Sequence, residues 1–500
     1  MSSQSLTTKP SPTGPPNLVR STALSFADTA VTLTAAVIVS VLLARLLGPG
    51  RYGVYALVMT IVMFFHLLSR LGISETVRRY VAELDGRTER SVAALVAGRG
   101  LVFALIAGGA AAIVLALAAS PVAVFFHDLE LRGYLLVGAA ILVPMLVASV
   151  LRNVLRGIQQ YQYFVRMNLF ISPLWVAASL LVIALGGGIT GLLLVTLGLE
   201  LLSLLVLGWW TRKEIGIRLG LTLPPGLAQR MVRYNFAVAG LIVLNSVVWQ
   251  RSELIFLGRF SGSEQVAFYN VTFALTGSLA ALVPGPLLGV LLPGLTYARG
   301  AADPARFTTL FNTALRYLAM LTVPICLFGI PLAGGIIQVL YGHEFAPAAV
   351  VLQIMFLSVF FAVLGDAAGS TLLGEESQGW LLKTGAIAAA ASVLMDLILI
   401  PPFGSVGAAI ANTVAQGGWA IAAFLPLFKR VTNQTWALIA RQTALAAVIG
   451  AGLALLTLAG APIPALVAAG LIALLLYLIG LDRFGLLSVR SLLAQVRPHV

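Results

Sequence analysis

Apolar runs of about twenty residues follow one another from residue 21 to residue 481, separated only by short polar or Gly- and Pro-containing stretches. A helix of about 20 apolar residues spans the ~30 Å hydrocarbon core of a bilayer. Fourteen runs satisfy this length, near 21–46, 52–74, 93–119, 134–157, 164–186, 189–211, 231–257, 265–294, 310–341, 346–373, 380–401, 404–428, 435–459 and 463–481. The pattern predicts an all-α integral membrane protein of about 14 transmembrane helices, with short connections and no inserted soluble domain. Residues 1–19, with KPSPTGPP, predict a disordered cytoplasmic tail, and 486–500 are expected to form a cytoplasmic tail. The first nineteen residues lack the charged start, short apolar run and cleavage site of a signal peptide, so the first span is expected to serve as an uncleaved signal.

Composition agrees with the pattern. The chain is 59% hydrophobic and 10% charged, with mean hydropathy +0.99, where soluble domains are about 25% charged. Too few charges exist to build a water-facing surface. Cys326 is the only cysteine and lies in an apolar run, which predicts a buried core residue. Four scattered histidines offer no metal cluster. The net charge of +13 is expected in cytoplasmic loops facing anionic lipid, with no nucleic-acid partner, because no basic domain lies outside the bilayer.

Charge also orients the chain. With the N-terminus inside, only Arg45, Arg51, Arg132, Arg251 and Arg259 of the 31 Lys and Arg fall on the outside. That bias predicts both termini in the cytoplasm and an even number of spans.

One outside hairpin, LLARLLGPGRYGVYAL (Leu42 to Leu57), has an echo. Arg45, Gly48 and Tyr55 recur as Arg259, Gly262 and Tyr269, 214 residues on. Leu155, Gly157 and Arg166 precede span 5 as Leu372, Gly374 and Lys383 precede span 11. Gly188 and Gly191 open span 6 as Gly404 and Gly407 open span 12. The order predicts a duplication: two pseudo-symmetric six-helix lobes, spans 1–6 (20–220) and 7–12 (221–430), around a central cavity. Spans 13–14 (431–485) are appended. Six spans per lobe is even, so the lobes share one orientation and are related by an axis along the membrane normal.

At these residues the chain resembles the polysaccharide flippases of the multidrug/oligosaccharidyl-lipid/polysaccharide exporter superfamily. LLARLLGPGRYGVYAL is similar to their first hairpin, and LGISETVRRYVAE (Leu71 to Glu83) to the end of their second span. LRGIQQYQ (Leu155 to Gln162) resembles their span 4–5 connection. ELIFLGRFSGSEQVAFYN resembles their seventh-to-eighth hairpin, with Glu253 where an Asp is commoner. LLPGLTYA (Leu291 to Ala298) resembles the end of their eighth span. The resemblance implies a non-enzymatic transporter in the cell (inner) membrane. It would carry a polyprenyl-diphosphate-linked oligosaccharide from the cytoplasmic to the outer leaflet by alternating access, for cell-surface polysaccharide synthesis. It implies no cofactor, a coupling ion (H⁺ or Na⁺), membrane lipids as surroundings, and a polysaccharide polymerase and glycosyltransferases as partners; the self-contained pair of lobes predicts a monomer.

Such a cargo joins a glycan, an anionic diphosphate and an apolar chain. Its head cannot cross hydrocarbon unaided, and arginine binds diphosphate oxygens bidentately. Arg70, four residues after His66 on one helix face, is the best-placed cation, with an interfacial anchor as the plainer reading. Arg79 follows in the family-like run. Arg152 and Arg156 stack at i,i+4 near the end of span 4 and suit a diphosphate or an anionic lipid surface. Arg251 and Glu253 stand near the outer end of span 7, as gate and glycan contacts or as interfacial anchors. Asp28, Glu200 and Asp366 are acids inside spans and are coupling-ion candidates, or partners of arginines; Asp396 admits the same two readings. Three prolines in VPGPLLGVLLPG predict a bent span 8.

Other classes fit less well. A membrane glycosyltransferase or ligase needs acids or a base on large outer loops, and these are short. A cation-coupled multidrug antiporter of the same superfamily is expected to have twelve spans and an acidic cavity. A lipid II flippase shares fourteen spans and a cationic cavity, and remains the nearest alternative. A major-facilitator transporter would carry an Asp-Arg-Gly-Arg-like signature between spans 2 and 3, which SETVRRYVAELDGRTER lacks.

Overall fold

The computed structural model describes residues 18–70, 72–218, 223–249, 252–301, 303–375 and 377–484, and no β-strand occurs among them. The helices are α1 (Leu18–Arg70), α2 (Ile73–Gly86), α3 (Arg90–Phe125), α4 (Leu131–Gly157), α5 (Gln162–Ala184), α6 (Gly188–Glu214), α7 (Leu227–Trp249) and α8 (Ser252–Phe260). They continue as α9 (Ser263–Leu282), α10 (Gly285–Gly300), α11 (Pro304–Tyr341), α12 (Ala348–Gly374), α13 (Gln378–Phe424), α14 (Asn433–Leu458) and α15 (Ile463–Arg483). In hydrocarbon every backbone polar group must be satisfied within the chain, and helices do this segment by segment.

Eleven described helices are long and apolar enough to cross a membrane, where the sequence pattern counts fourteen runs. The difference has three sources. α1 and α13, of 53 and 47 residues, each contain two runs joined through a glycine outside helical space, Gly48 (φ 70°, ψ 170°) and Gly404 (φ 55°, ψ −133°). Residues 250–251 of the seventh run lie outside the described residues, so that run is described in two pieces, α7 and α8. The chain doubles back inside α1: Ser40 Oγ and Tyr52 OH are 2.8 Å apart, although twelve residues of straight helix would separate them by about 18 Å. Inside α13, a Cβ on Gly407 would lie 2.1 Å from the Leu399 carbonyl oxygen, so this segment also folds back tightly.

The paired glycines of the sequence have paired conformations. Gly262 (φ 85°, ψ 172°) matches Gly48, and Gly188 (φ 53°) matches Gly404 (φ 55°). L side chains rarely occupy this region, so glycine is the residue that permits these reversals. The proline-rich eighth run breaks at Pro284, where α9 ends and α10 begins, as expected of a residue without an N–H. Between Arg70 and Arg90 the chain forms α2, whose Val77, Tyr80, Val81 and Leu84 face inward.

Packing differs between the two ends of the helices. At the Gly48 end one core draws on both halves: Leu43, Tyr52, Leu57, Leu135 and Leu192 pack with Leu254, Tyr269, Ile337, Phe345 and Ile400. At the other end the cores are separate. One holds Tyr80, Val96, Leu151 and Phe164, and the other holds Leu295, Phe311, Leu318, Leu372 and Phe424. α7 leans on the first of these, because Leu227 enters the N-terminal core and Tyr234 packs against it.

A reciprocal arginine contact holds the Gly48 end. Arg45 Nε donates to the Leu340 carbonyl at 2.7 Å, and Arg45 Nη2 donates to the Val339 carbonyl, at the C-terminal end of α11. Arg259, the counterpart of Arg45, reaches the end of α3. Its Nη1 is 3.1 Å from His127 Nδ1, and its guanidinium lies 5.2 Å over the Phe125 ring. Val339 follows Phe125 by the same 214 residues that separate Arg259 from Arg45. A cation at a helix C-terminus meets unpaired carbonyls and the negative end of the dipole. The exchange of equivalent contacts is that of an isologous interface.

Backbone also meets backbone here: a Cβ on Gly53 would lie 1.7 Å from the Ser263 carbonyl oxygen, whereas one on Gly50 would meet nothing within 4 Å. Gly53→Ala is expected to destabilise the detergent-solubilised protein by ~1–3 kcal/mol, the usual cost of overpacking. Gly50→Ala is expected to leave stability unchanged. Thermal unfolding of the two variants checks this.

Candidate functional site

Between the two halves lies a cavity of about 830 Å³, bounded by α1, α5, α8, α9 and α13. Its wall carries the hydroxyls of Ser40, Tyr52, Tyr55 and Thr60, the amide of Asn270 and rings such as Trp175 and Phe256. Asn270 Nδ2 donates to Tyr52 OH at 2.9 Å, and Tyr52 OH and Ser40 Oγ share a hydrogen bond at 2.8 Å. This chain of bonds joins the two strokes of α1 to α9. Among the described residues of the cavity wall, none is charged. The sequence reading expected arginines on this wall, and the structure puts them beyond it. The cavity sits in the apolar middle of the helices, while arginine gathers near their ends.

Those arginines lie just past the cavity. The wall follows α1 as far as Leu67, with His66 adjacent to it and Arg70 three residues further along that helix. His66 is 9% exposed, and its Nε2 has no hydrogen-bond partner. Arg70 pairs with Glu75 across the Gly72 bend. On α4, Arg152 Nη2 lies 3.6 Å from Glu200 Oε2 on α6. One turn further, the Arg156 guanidinium stands 5.3 Å over the Phe164 ring, and Asp28 is the acid that acts on it. Asp28 Oδ1 accepts from Asn168 Nδ2 at 2.6 Å, and that amide is also 3.0 Å from Thr32 Oγ1. Three expected cations, Arg70, Arg152 and Arg156, thus share one end of the N-terminal half with the acids Asp28 and Glu200.

Other expected residues lie elsewhere. Arg79 is on the exposed side of α2, with its guanidinium 4.2 Å over the Tyr234 ring of α7. Arg230 meets Glu83 nearby at 3.2 Å. Arg79 therefore belongs to the α2–α7 contact. Arg251 lies outside the described residues. Glu253, expected as a gate or glycan contact, is 4% exposed and turned into the C-terminal half, because Asn412 Nδ2 donates to its Oε1 at 3.0 Å. Ser358 Oγ in turn donates to Asn412 Oδ1 at 2.6 Å. Asp366 is exposed on α12.

A second polar site surrounds Glu253. Asp396 of α13 is 0% exposed, neither of its carboxylate oxygens has a hydrogen-bond partner, and Glu253 is the charge that acts on it. Two buried acids with free oxygens form a group that a shared proton or a small cation would satisfy. The sequence reading set Asp396 level with Asp366. It passed over Asn168, Asn270, Ser358 and Asn412, whose signal was amides and hydroxyls inside apolar runs. A further cavity of about 370 Å³, almost wholly apolar, lies among α11, α12 and α14, lined by residues such as Leu318, Phe360 and Trp436.

Comparison with known proteins adds three findings. The family model described as "Polysaccharide biosynthesis protein" matches residues 42–350, and the model "Lipid II flippase MurJ" matches 280–478. The chain is 24% identical over 429 residues to the "Probable flippase AglR" of Haloferax volcanii, covering 83% of this chain and 84% of that one. Among solved structures, the fold is similar to a lipid II flippase MurJ in an inward closed conformation, with TM-score 0.76 and 14% identity over 95% of this chain and 100% of that one. It is also similar to an inward-facing multidrug resistance MATE family transporter, with TM-score 0.69 and 16% identity over 82% and 97%.

The Asn412 amide satisfies both Glu253 and Ser358. Asn412→Ala is expected to destabilise the protein by ~1–3 kcal/mol, the cost of leaving buried polar groups unpaired. Glu253→Gln removes one of two buried like charges and is expected to leave stability equal or higher. Thermal unfolding in detergent reads both.

Proposed function

Because this chain belongs to the polysaccharide biosynthesis protein family, we propose that it is a flippase that moves a polyprenyl-diphosphate-linked oligosaccharide from the cytoplasmic to the outer leaflet by alternating access. One observation carries the reading: a neutral cavity of hydroxyls and rings runs into a cluster of arginines. A glycan needs hydrogen-bonding and stacking partners without charge, and a diphosphate needs cations. The cavity between the halves suits the first. Arg70, Arg152 and Arg156 suit the second. The apolar cavity among α11, α12 and α14 suits a stretch of the lipid tail.

The distribution of Lys and Arg supports cytoplasmic termini in the cell membrane, with the Gly48 end outward. In that orientation the halves are joined on the outside and have separate cores on the inside, an arrangement suited to receiving cargo from the cytoplasm. We count fourteen crossings, with each glycine bend as a reversal and α7 with α8 as one span. They divide into lobes 20–220 and 221–430 and an appended pair, and the protein acts as a monomer without enzymatic activity. Glu253 and Asp396 are the acids best placed to carry a coupling H⁺ or Na⁺, because their free oxygens are buried in the lobe opposite the arginines. Asp28 and Glu200 serve as counter-ions to Arg156 and Arg152. A polysaccharide polymerase and glycosyltransferases are the expected partners.

The match of residues 280–478 to the lipid II flippase model favours a second reading, transport of lipid II, which also carries a diphosphate. Purified protein in liposomes separates them. Leaflet exchange of an undecaprenyl-diphosphate-linked oligosaccharide is expected to depend on the protein, and to fall about tenfold or more in Arg70→Ala, as befits loss of a charge-assisted contact. Exchange of lipid II alone would replace the first reading with the second. Absence of exchange for both, with efflux of cationic dyes, would overturn both.

A further inference from the structure

Near the inner end of the N-terminal half, the donors outnumber their partners. His66 Nε2, Arg70 Nε and Arg152 Nε are buried, and none has a hydrogen-bond partner. They belong to one site, since Arg70 and Arg152 are the charges that act on His66. A nine-tenths buried imidazole with an unsatisfied ring nitrogen beside two guanidinium groups is a poor choice for stability alone, because buried polar groups are costly without partners.

The acid at this site is loosely held. Glu200 Oε2 stands 3.6 Å from Arg152 Nη2, without a hydrogen bond. A bonded guanidinium–carboxylate pair closes to about 2.7–2.9 Å. Glu200 therefore neutralises Arg152 without occupying its donors. Arg70 differs, because Glu75 is hydrogen-bonded to it.

We propose that Glu200 is the resident counter-ion of an oxyanion site formed by His66, Arg70 and Arg152, and that a diphosphate enters this site by displacing Glu200 from Arg152. The proposal rests on the flippase reading for its cargo, and adds the residues that hold the diphosphate and the one that limits how tightly. A diphosphate presents several acceptor oxygens, enough for all three free donors, where a carboxylate presents two. Without Glu200 an empty site would leave Arg152 uncompensated inside the protein, which is unfavourable. It would also hold the cargo too firmly to release it. With Glu200 the site is charge-balanced when empty, and the acid recaptures Arg152 as the diphosphate leaves.

Calorimetric titration of the purified protein tests this, with inorganic pyrophosphate and with a polyprenyl diphosphate in the same detergent. Glu200→Gln keeps the shape of the side chain and removes its charge. It is expected to bind about tenfold more tightly, and to exchange lipid-linked oligosaccharide more slowly because release is delayed. Arg152→Gln is expected to weaken binding about tenfold, and in its background Glu200→Gln is expected to add nothing, which a stability change could not imitate. A gain with either probe supports the proposal, and a gain with only one assigns the source of the anion. Unchanged or weaker binding of both by Glu200→Gln, in a variant that unfolds at the wild-type temperature, overturns it. If wild type exchanges the lipid but Glu200→Gln leaves affinity unchanged, the counter-ion falls and the flippase stands. If wild type exchanges no such lipid but Glu200→Gln tightens pyrophosphate binding, the flippase falls and the oxyanion site stands.

Discussion

The contact on which the rest depends is the exchange of arginines at the Gly48 end. Arg45 reaches the carbonyls that close α11, and Arg259 reaches the end of α3. Each half supplies the cation, and the other half supplies the helix end. Around them the glycine reversals let backbone touch backbone, as at Gly53 and Ser263. Because the halves are fastened at this end, a single core forms here, while the opposite ends keep cores of their own. The cavity is the space left between two bodies joined at one end.

That geometry separates chemistry by depth. The wall of the cavity is made where the helices are most apolar, so its polar groups are neutral ones that bond to one another, as Asn270, Tyr52 and Ser40 do. Charges collect past its end and are compensated locally: Arg70 by Glu75, Arg152 by Glu200, Arg156 by Asp28. In the C-terminal half two buried acids, Glu253 and Asp396, face each other, with Asn412 donating to Glu253. The N-terminal half thus pairs each of these arginines with an acid, whereas the C-terminal half sets two acids against each other.

Much of this was legible in the chain. Most of the apolar runs fall in described helices, eleven of which are long and apolar enough to cross a membrane, and the pairs Gly48/Gly262 and Gly188/Gly404 share positive φ. The bend expected from the prolines of span 8 falls at Pro284. The site was read less fully. Arg70, Arg152 and Arg156 were named and do lie together, but Arg79 belongs to the α2–α7 contact and Glu253 to the interior of its own half. The amides that hold the acids, Asn168 and Asn412, gave no charge signal by which to find them.

The sequence by itself determined which segments are helices suited to lipid and where glycine lets two of the longest of them, α1 and α13, turn back. These are local properties, set by runs of apolar side chains and by the few residues that tolerate a reversal. Tertiary structure alone decided which acid meets which base. Arg152 and Glu200 are 48 residues apart, and Glu253 and Asn412 are 159 apart. Periodicity says which face a residue occupies on its own helix, and only the packing of helices distant in the chain says what that face meets.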